Sequence, residues 1–206
     1  MSALRHGLFF CFILLIGCGA ADPRWATDAE IARFAYAPAA PPEIRLYTIV
    51  STRNGSGVHS ALLITTAHER ILFDPAGSFA LPSVPERNDV LYGMSPEALK
   101  TYIDYHARQT FDVFEQRLDV PAAQAEQIAE SAKSYGAVPQ AHCAVSVSRI
   151  LRQTTGLEQM RVSYFPNVIR RQFGAIEGVR TRFYSDNDAN ANAQVLTEAS
   201  GRAAQP

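Results

Sequence analysis

The sequence predicts an α+β domain in which a small antiparallel sheet is packed against an amphipathic helix that opens on a cysteine. Three observations carry this reading. Between residues 44 and 74, β-rich runs follow one another with only turn sequences between them, the spacing of antiparallel neighbours rather than of strand–helix–strand units. Helical stretches follow these strands at 95–107 and 120–135, with a further strand at 111–119 between them. The last strong helical stretch, CAVSVSRILRQ, starts at Cys143.

Residues 44–50 (IRLYTIV) alternate as a strand, and Asn54-Gly55-Ser56-Gly57 signals a turn. Residues 58–65 (VHSALLIT) form a second strand, apolar enough to be central. Residues 66–69 turn the chain into a third strand at 70–74 (RILFD), antiparallel to the second. Residues 75–88 hold three prolines and make a long loop, a class of segment that often carries function. A short extended piece follows at 89–92. Ser95-Pro96-Glu97 then starts a helix running to about residue 107: Ser95 suits the cap, Pro96 the first helical position and Glu97 the positive end of the dipole.

Residues 111–119 (FDVFEQRLD) alternate as a strand, and 120–135 form a helix with Ala123, Ile128, Ala132 and Tyr135 turned inward. The helix at 143–153 turns Val147, Ile150 and Leu151 inward and stops at Gly156. A short helix at 166–173 and a strand at 179–184 complete the domain. Phe111, Phe114, Tyr164 and Phe165 are expected in the core, and His106 in solvent on its helix.

The chain ends read differently. Arg5 and His6 precede an apolar run, GLFFCFILLI, of the length of a signal-peptide core (roughly 7–15 residues) and too short to span a membrane. The run closes on Leu15-Ile16-Gly17-Cys18, which resembles a lipobox. The resemblance implies cleavage before Cys18, lipidation of its thiol, and anchoring in the cell envelope, facing the periplasm from the outer membrane. Residues 1–17 are then a lipoprotein signal, 18–43 an Ala/Pro-rich tether with one short helix near 29–34, 44–184 the domain, and 185–206 a polar disordered tail. A chain of 206 residues, less that leader, suffices for one domain with a core. Its net charge of −1 gives no case for nucleic acid as a partner. The membrane, reached through lipid, is the expected partner.

Three cysteines are present; Cys11 leaves with the leader and Cys18 is consumed by lipid, so Cys143 is the one free thiol expected in an oxidising compartment. A helix N-terminus presents unpaired N–H groups and a positive dipole end, both of which favour thiolate. The Cys143 N–H is also placed to hold an oxyanion. His59, at the start of the second strand, is the candidate base. A hairpin turning at 66–69 pairs residues whose numbers sum to about 135, which sets Asp74 opposite residue 61 and on the face of His59. Asp74 is therefore the first candidate to orient His59, and His68, in the turn, the second. His59, His68, His142 and Cys143 match no compact metal-ligand spacing, and neither a metal nor a cofactor is expected.

The strand VHSALLI, the following ILFDPAGSF and the later HCAVSVSRIL resemble the circularly permuted NlpC-like, papain-like thiol hydrolases. That superfamily includes YiiX/YaeF-like envelope lipoproteins and lecithin:retinol acyltransferase-like enzymes. In it the histidine precedes the cysteine in the chain. The resemblance implies a papain-like fold, Cys143 as nucleophile, His59 as base and Asp74 in the place of the polar third residue. It implies attack on an amide or ester carbonyl, with a peptidoglycan peptide or a lipid acyl ester as substrate. Two other readings stand beside it: a non-catalytic envelope protein that binds a partner or ligand with a degenerate site of this kind, and a cysteine that merely fills the core.

Overall fold

The computed structural model describes residues 20–203. The signal segment and Cys18 lie outside the described residues. Thirteen elements follow in order: α1 (Asp28–Arg33), β1 (Glu43–Ser51), β2 (Gly57–Thr65), β3 (Arg70–Phe73), β4 (Glu86–Arg87), β5 (Val90–Leu91), α2 (Pro96–His106), β6 (Phe111–Asp119), α3 (Ala122–Lys133), α4 (Cys143–Gln153), α5 (Pro166–Gly174), β7 (Arg180–Tyr184) and α6 (Asn192–Ala203).

The strands form one seven-stranded sheet in the order β4-β5-β3-β2-β1-β6-β7, every pairing antiparallel. The class is α+β as expected, but the sheet is larger than expected and helices cover both faces. Ile44, Leu46, Leu62, Ile64 and Phe73 pack with Ile128, Val147, Leu151 and Phe173 on the face covered by α3, α4 and α5. Tyr47, Ile49, Ala61, Leu63 and Leu72 pack with Leu99, Tyr102 and Val195 on the face covered by α2 and α6. Two covered faces explain why β2 is buried without interruption from Ser60 to Thr65: a strand between two apolar layers has no polar side to show.

The expected hairpin register holds. Leu62 pairs with Phe73 and Ile64 with Ile71. Pairing between β2 and β3 reaches no further than Leu62 and Phe73, whereas β2 continues along β1 to Gly57. The edge of β2 from Gly57 to Ala61 is therefore unpaired on the β3 side. The chain fills that space with the 74–79 loop and with the start of α4.

Four expectations are corrected. The segment read as a tether is strapped to the domain from Arg24 onward: Ala26 N–H donates to the Glu86 carbonyl, Arg87 donates to the Ala26 carbonyl, and Arg70 N–H donates to the Tyr36 carbonyl. Gly93, at φ 71°, lets the strap pass, since a β-carbon there would overlap the Phe34 carbonyl. The tail read as disordered carries α6, whose Val195 is buried against the α2 layer and whose Asn192 caps the contact by donating to the Tyr105 carbonyl. Tyr164 and Phe165 are exposed at 54% and 69% rather than buried, because they lie in the loop that enters α5. Ala123 faces solvent, and Ala125 and Ala129 take the inward stripe of α3 with Ile128 and Ala132.

Ile64 is wholly buried at the centre of the sheet. Ile64→Ala is expected to lower the unfolding free energy by about 2–5 kcal/mol through lost transfer and the cavity left behind. Denaturant titration reads this as a lower midpoint at unchanged slope.

Candidate active site

Residue parity places the functional side chains. His59 pairs with Ile49, so its ring lies on the α2 face of the sheet. Asp74 directly follows β3 and lies on the same face as Leu72. Cys143 is the first residue of α4, which packs on the opposite face. The thiol meets the imidazole across the open edge of β2, where β3 has stopped pairing.

His59 Nε2 hydrogen-bonds Asp74 Oδ1 at 2.7 Å. This leaves Nδ1 free of Asp74, and His59 acts on the Cys143 thiol to favour its charged form. The backbone N–H groups of Ser60 and Ala144 also favour a charged sulfur. Burial opposes a thiolate, but His59 and these two donors outweigh it and lower the Cys143 pKa. Burial likewise opposes a charged imidazole, yet Asp74 and Cys143 raise His59 to about 10. Asp74 is 3% exposed and held below its ordinary value, burial being overcome by His59. The three groups thus favour a thiolate–imidazolium pair backed by a carboxylate.

Two residues that sequence reasoning did not assign complete the surroundings. Tyr102 Oη donates to the same Asp74 Oδ1 at 2.9 Å. His106, read as solvated, instead stacks on His59 with ring centroids 5.9 Å apart. Burial, with the His59 charge beside it, depresses His106 to about 3, so it stays neutral and leaves the charge on His59. The signal in the sequence was spacing: Tyr102, Tyr105 and His106 share one helical stripe. His68, the second candidate for the orienting group, is exposed in the turn at the other end of β2 and takes no part. His142 bonds the Gln140 carbonyl through Nδ1 at 2.9 Å and lies 5.4 Å from the Tyr164 ring. The four-residue metal set therefore does not converge.

Backbone strain concentrates here. Among the described residues, four non-glycine residues adopt positive φ: Ala76, Asn88, Asp89 and Ala141. Asn88 and Asp89 form the two-residue β4–β5 turn, which demands that conformation and suits Asn and Asp. Ala76 and Ala141 have no such compensation, and each costs on the order of 1–2 kcal/mol. Ala76 lies in the loop that carries Asp74, and Ala141 stands two residues before Cys143. Asp89 ties the two together: its carbonyl accepts from Asp74 N–H at 2.8 Å and its Oδ2 from Val138 N–H at 2.6 Å.

The His59 ring opens on a groove of about 250 Å³ lined by Ile49, Ala76, Gly77, Tyr105 and Phe111. Exposed Val58 lines it too, while exposed Tyr164 packs on His142 beside Cys143, and Phe165 precedes Pro166, which lies against Gly57. No family model, no curated protein and no solved structure matches this chain.

The alkylation rate of Cys143 is expected to rise with a midpoint below the free-thiol value of ~8.5. His59→Ala should raise that midpoint, because burial is then opposed only by the Ser60 and Ala144 N–H groups. The imidazolium contributes to stability fully below its unfolded pKa of ~6.5 and loses that contribution as pH rises through about 10. Iodoacetamide kinetics across pH 5–10 read the first effect. An unshifted wild-type midpoint would remove the ion pair.

Gly77 lies against the Asp74 carboxylate, and a β-carbon there would overlap Oδ2. Gly77→Ala is expected to push Asp74 off His59 without touching any of the three groups. The loss in thiol reactivity at neutral pH should be about tenfold to a hundredfold, with circular dichroism unchanged.

Proposed function

We propose that the protein is a cysteine-dependent acyl hydrolase or acyltransferase of papain-like, permuted NlpC-like type, held at the cell envelope by lipid on Cys18. The observation that carries the reading is the closed chain Cys143–His59–Asp74, with the 2.7 Å His59–Asp74 bond behind a thiol of lowered pKa. Such a chain does the work of nucleophile, acid–base group and orienting group in thiol acyl transfer.

The steps follow from the groups present. The Cys143 thiolate adds to the carbonyl carbon of the substrate. Negative charge passes to the carbonyl oxygen, for which the Cys143 N–H at the α4 N-terminus is the available donor. His59 gives its proton to the departing amine or alkoxide as that bond breaks, leaving a thioester on Cys143. A water or an acceptor hydroxyl then loses its proton to His59 and attacks the thioester, and the thiolate is restored. Asp74 holds the imidazole throughout and remains ionised.

Of the two substrate classes considered, a lipid acyl ester has the better support. The segments flanking the thiol expose Val58 at 46%, Tyr164 at 54% and Phe165 at 69%, an apolar rim suited to an acyl chain rather than to a polar peptide. The anchor on Cys18 rests on the basic start, apolar run and lipobox-like Leu15-Ile16-Gly17-Cys18 of the sequence.

Incubation with p-nitrophenyl esters of rising chain length is expected to give a burst and a thioester adduct on Cys143, visible as a mass increase of one acyl group. Cys143→Ala should reduce turnover by at least about three orders of magnitude while the melting temperature is retained. Turnover that survives in Cys143→Ala would sink the mechanism. Acylation by a peptidoglycan peptide but by none of the esters would reverse the choice of substrate.

A further inference from the structure

On the α2 face, at the end of the sheet away from Cys143, the strands carry charge: Glu43 and Arg45 on β1, Arg70 on β3, Glu115 and Arg117 on β6. Four of these are paired. Arg45 reaches Glu43 at 2.5 Å and Glu115 at 3.5 Å. Arg117 pairs with Glu43 and, at 3.2 Å, with Asp119. Arg70 is the exception. It is 7% exposed, donates Nε to Thr65 Oγ1 at 3.2 Å and stacks 5.3 Å from the Tyr36 ring centre, yet it has no carboxylate partner among the described residues. Its terminal nitrogens make no hydrogen bond to described residues. A buried cation without a counter-ion is costly, and burial here lowers the Arg70 pKa.

Arg70 lines a cavity of about 640 Å³ between α2 and the sheet, a volume within the range of ligand sites. Arg45 shares the floor; Leu99, Lys100 and Ile103 of α2 and Tyr184 of β7 form the walls. Asp104, Asp186 and Glu115, the last paired with Arg45, line it as well.

We propose that this cavity binds a small organic carboxylate, with its head on the Arg70 guanidinium beside Lys100 and its apolar body along Leu99, Ile103 and Tyr184. A guanidinium fork matches a carboxylate bidentately, and Arg70, with no carboxylate in contact among the described residues, leaves that fork open. Asp104 and Asp186 disfavour a second anionic group, so the ligand is charged at one end only. The site is separate from the thiol. Arg70 begins β3 whereas Asp74 follows its end, and α2 turns Leu99, Lys100 and Ile103 to the cavity while Tyr102 and His106 face the catalytic groups.

Calorimetric titration of the full chain with octanoate tests this, with octanol as the uncharged counterpart and inorganic phosphate as the head alone. Saturable one-to-one binding of octanoate is expected, unchanged in Cys143→Ala and at least tenfold weaker in Arg70→Met and in Lys100→Glu. Octanol and phosphate should each bind at least tenfold more weakly than octanoate. Octanol binding as tightly as octanoate, or phosphate binding more tightly, overturns the proposal. So does loss of octanoate binding in Cys143→Ala, which would place it at the thiol. Lys100 is exposed and its replacement leaves the core intact; should Arg70→Met fail to fold, unchanged affinity in Lys100→Glu overturns the site by itself.

Discussion

A negative charge on Asp74, almost cut off from water, is the constraint around which the rest of the site is built. An ionised carboxylate in such a place persists only when its oxygens are occupied by donors and a cation lies close. Here the imidazolium of His59 and the hydroxyl of Tyr102 share Oδ1, and Gly77 leaves room for Oδ2. The proton on His59 is thus stabilised from below by Asp74 and from above by the sulfur. Each of the three ionisation states depends on the other two. His106 contributes by staying neutral beside them, because a second cation against His59 would compete for the same carboxylate.

This arrangement depends on where β3 ends. A β3 that continued pairing past Phe73 would cover the edge of β2, and α4 on one face could not reach an imidazole on the other. Stopping β3 early exposes backbone N–H groups of β2, and one of them, at Ser60, favours a charged sulfur. The loop that replaces the strand has to turn sharply, and the left-handed Ala76 is its cost. Asp89 then fixes that loop to the segment leading into α4, so one residue ties the carboxylate side of the site to the thiol side.

Much of this was legible in the sequence, and for identifiable reasons. The hairpin arithmetic that set Asp74 beside His59 needed only a short turn at 66–69 and strict two-residue alternation. The start of α4 at Cys143 followed from an amphipathic stretch after a loop. What escaped was decided by long-range packing. Nothing local to α2 says that its Tyr102–His106 stripe covers the strand carrying His59, so His106 read as a solvated residue. The Ala/Pro-rich segment after Asp22 has the composition of a linker, and it is held down by partners distant in sequence, among them Glu86, Arg87, Arg70 and Gly93. The polar run after Ser185 hid α6 because its apolar residues, Val195, Leu196 and Ala199, are few and gain their value only against α2.

The strap has a consequence for reach. With docking already begun at Arg24, the proposed anchor at Cys18 lies six residue steps away, a leash of at most about 20 Å if fully extended. The domain would then ride against the bilayer like a boat on a short mooring, meeting membrane-resident molecules at a local concentration that bulk solutes cannot match. Selectivity would come partly from altitude: a carbonyl group held higher above the lipid than that leash allows would escape the thiol however well it fitted the groove.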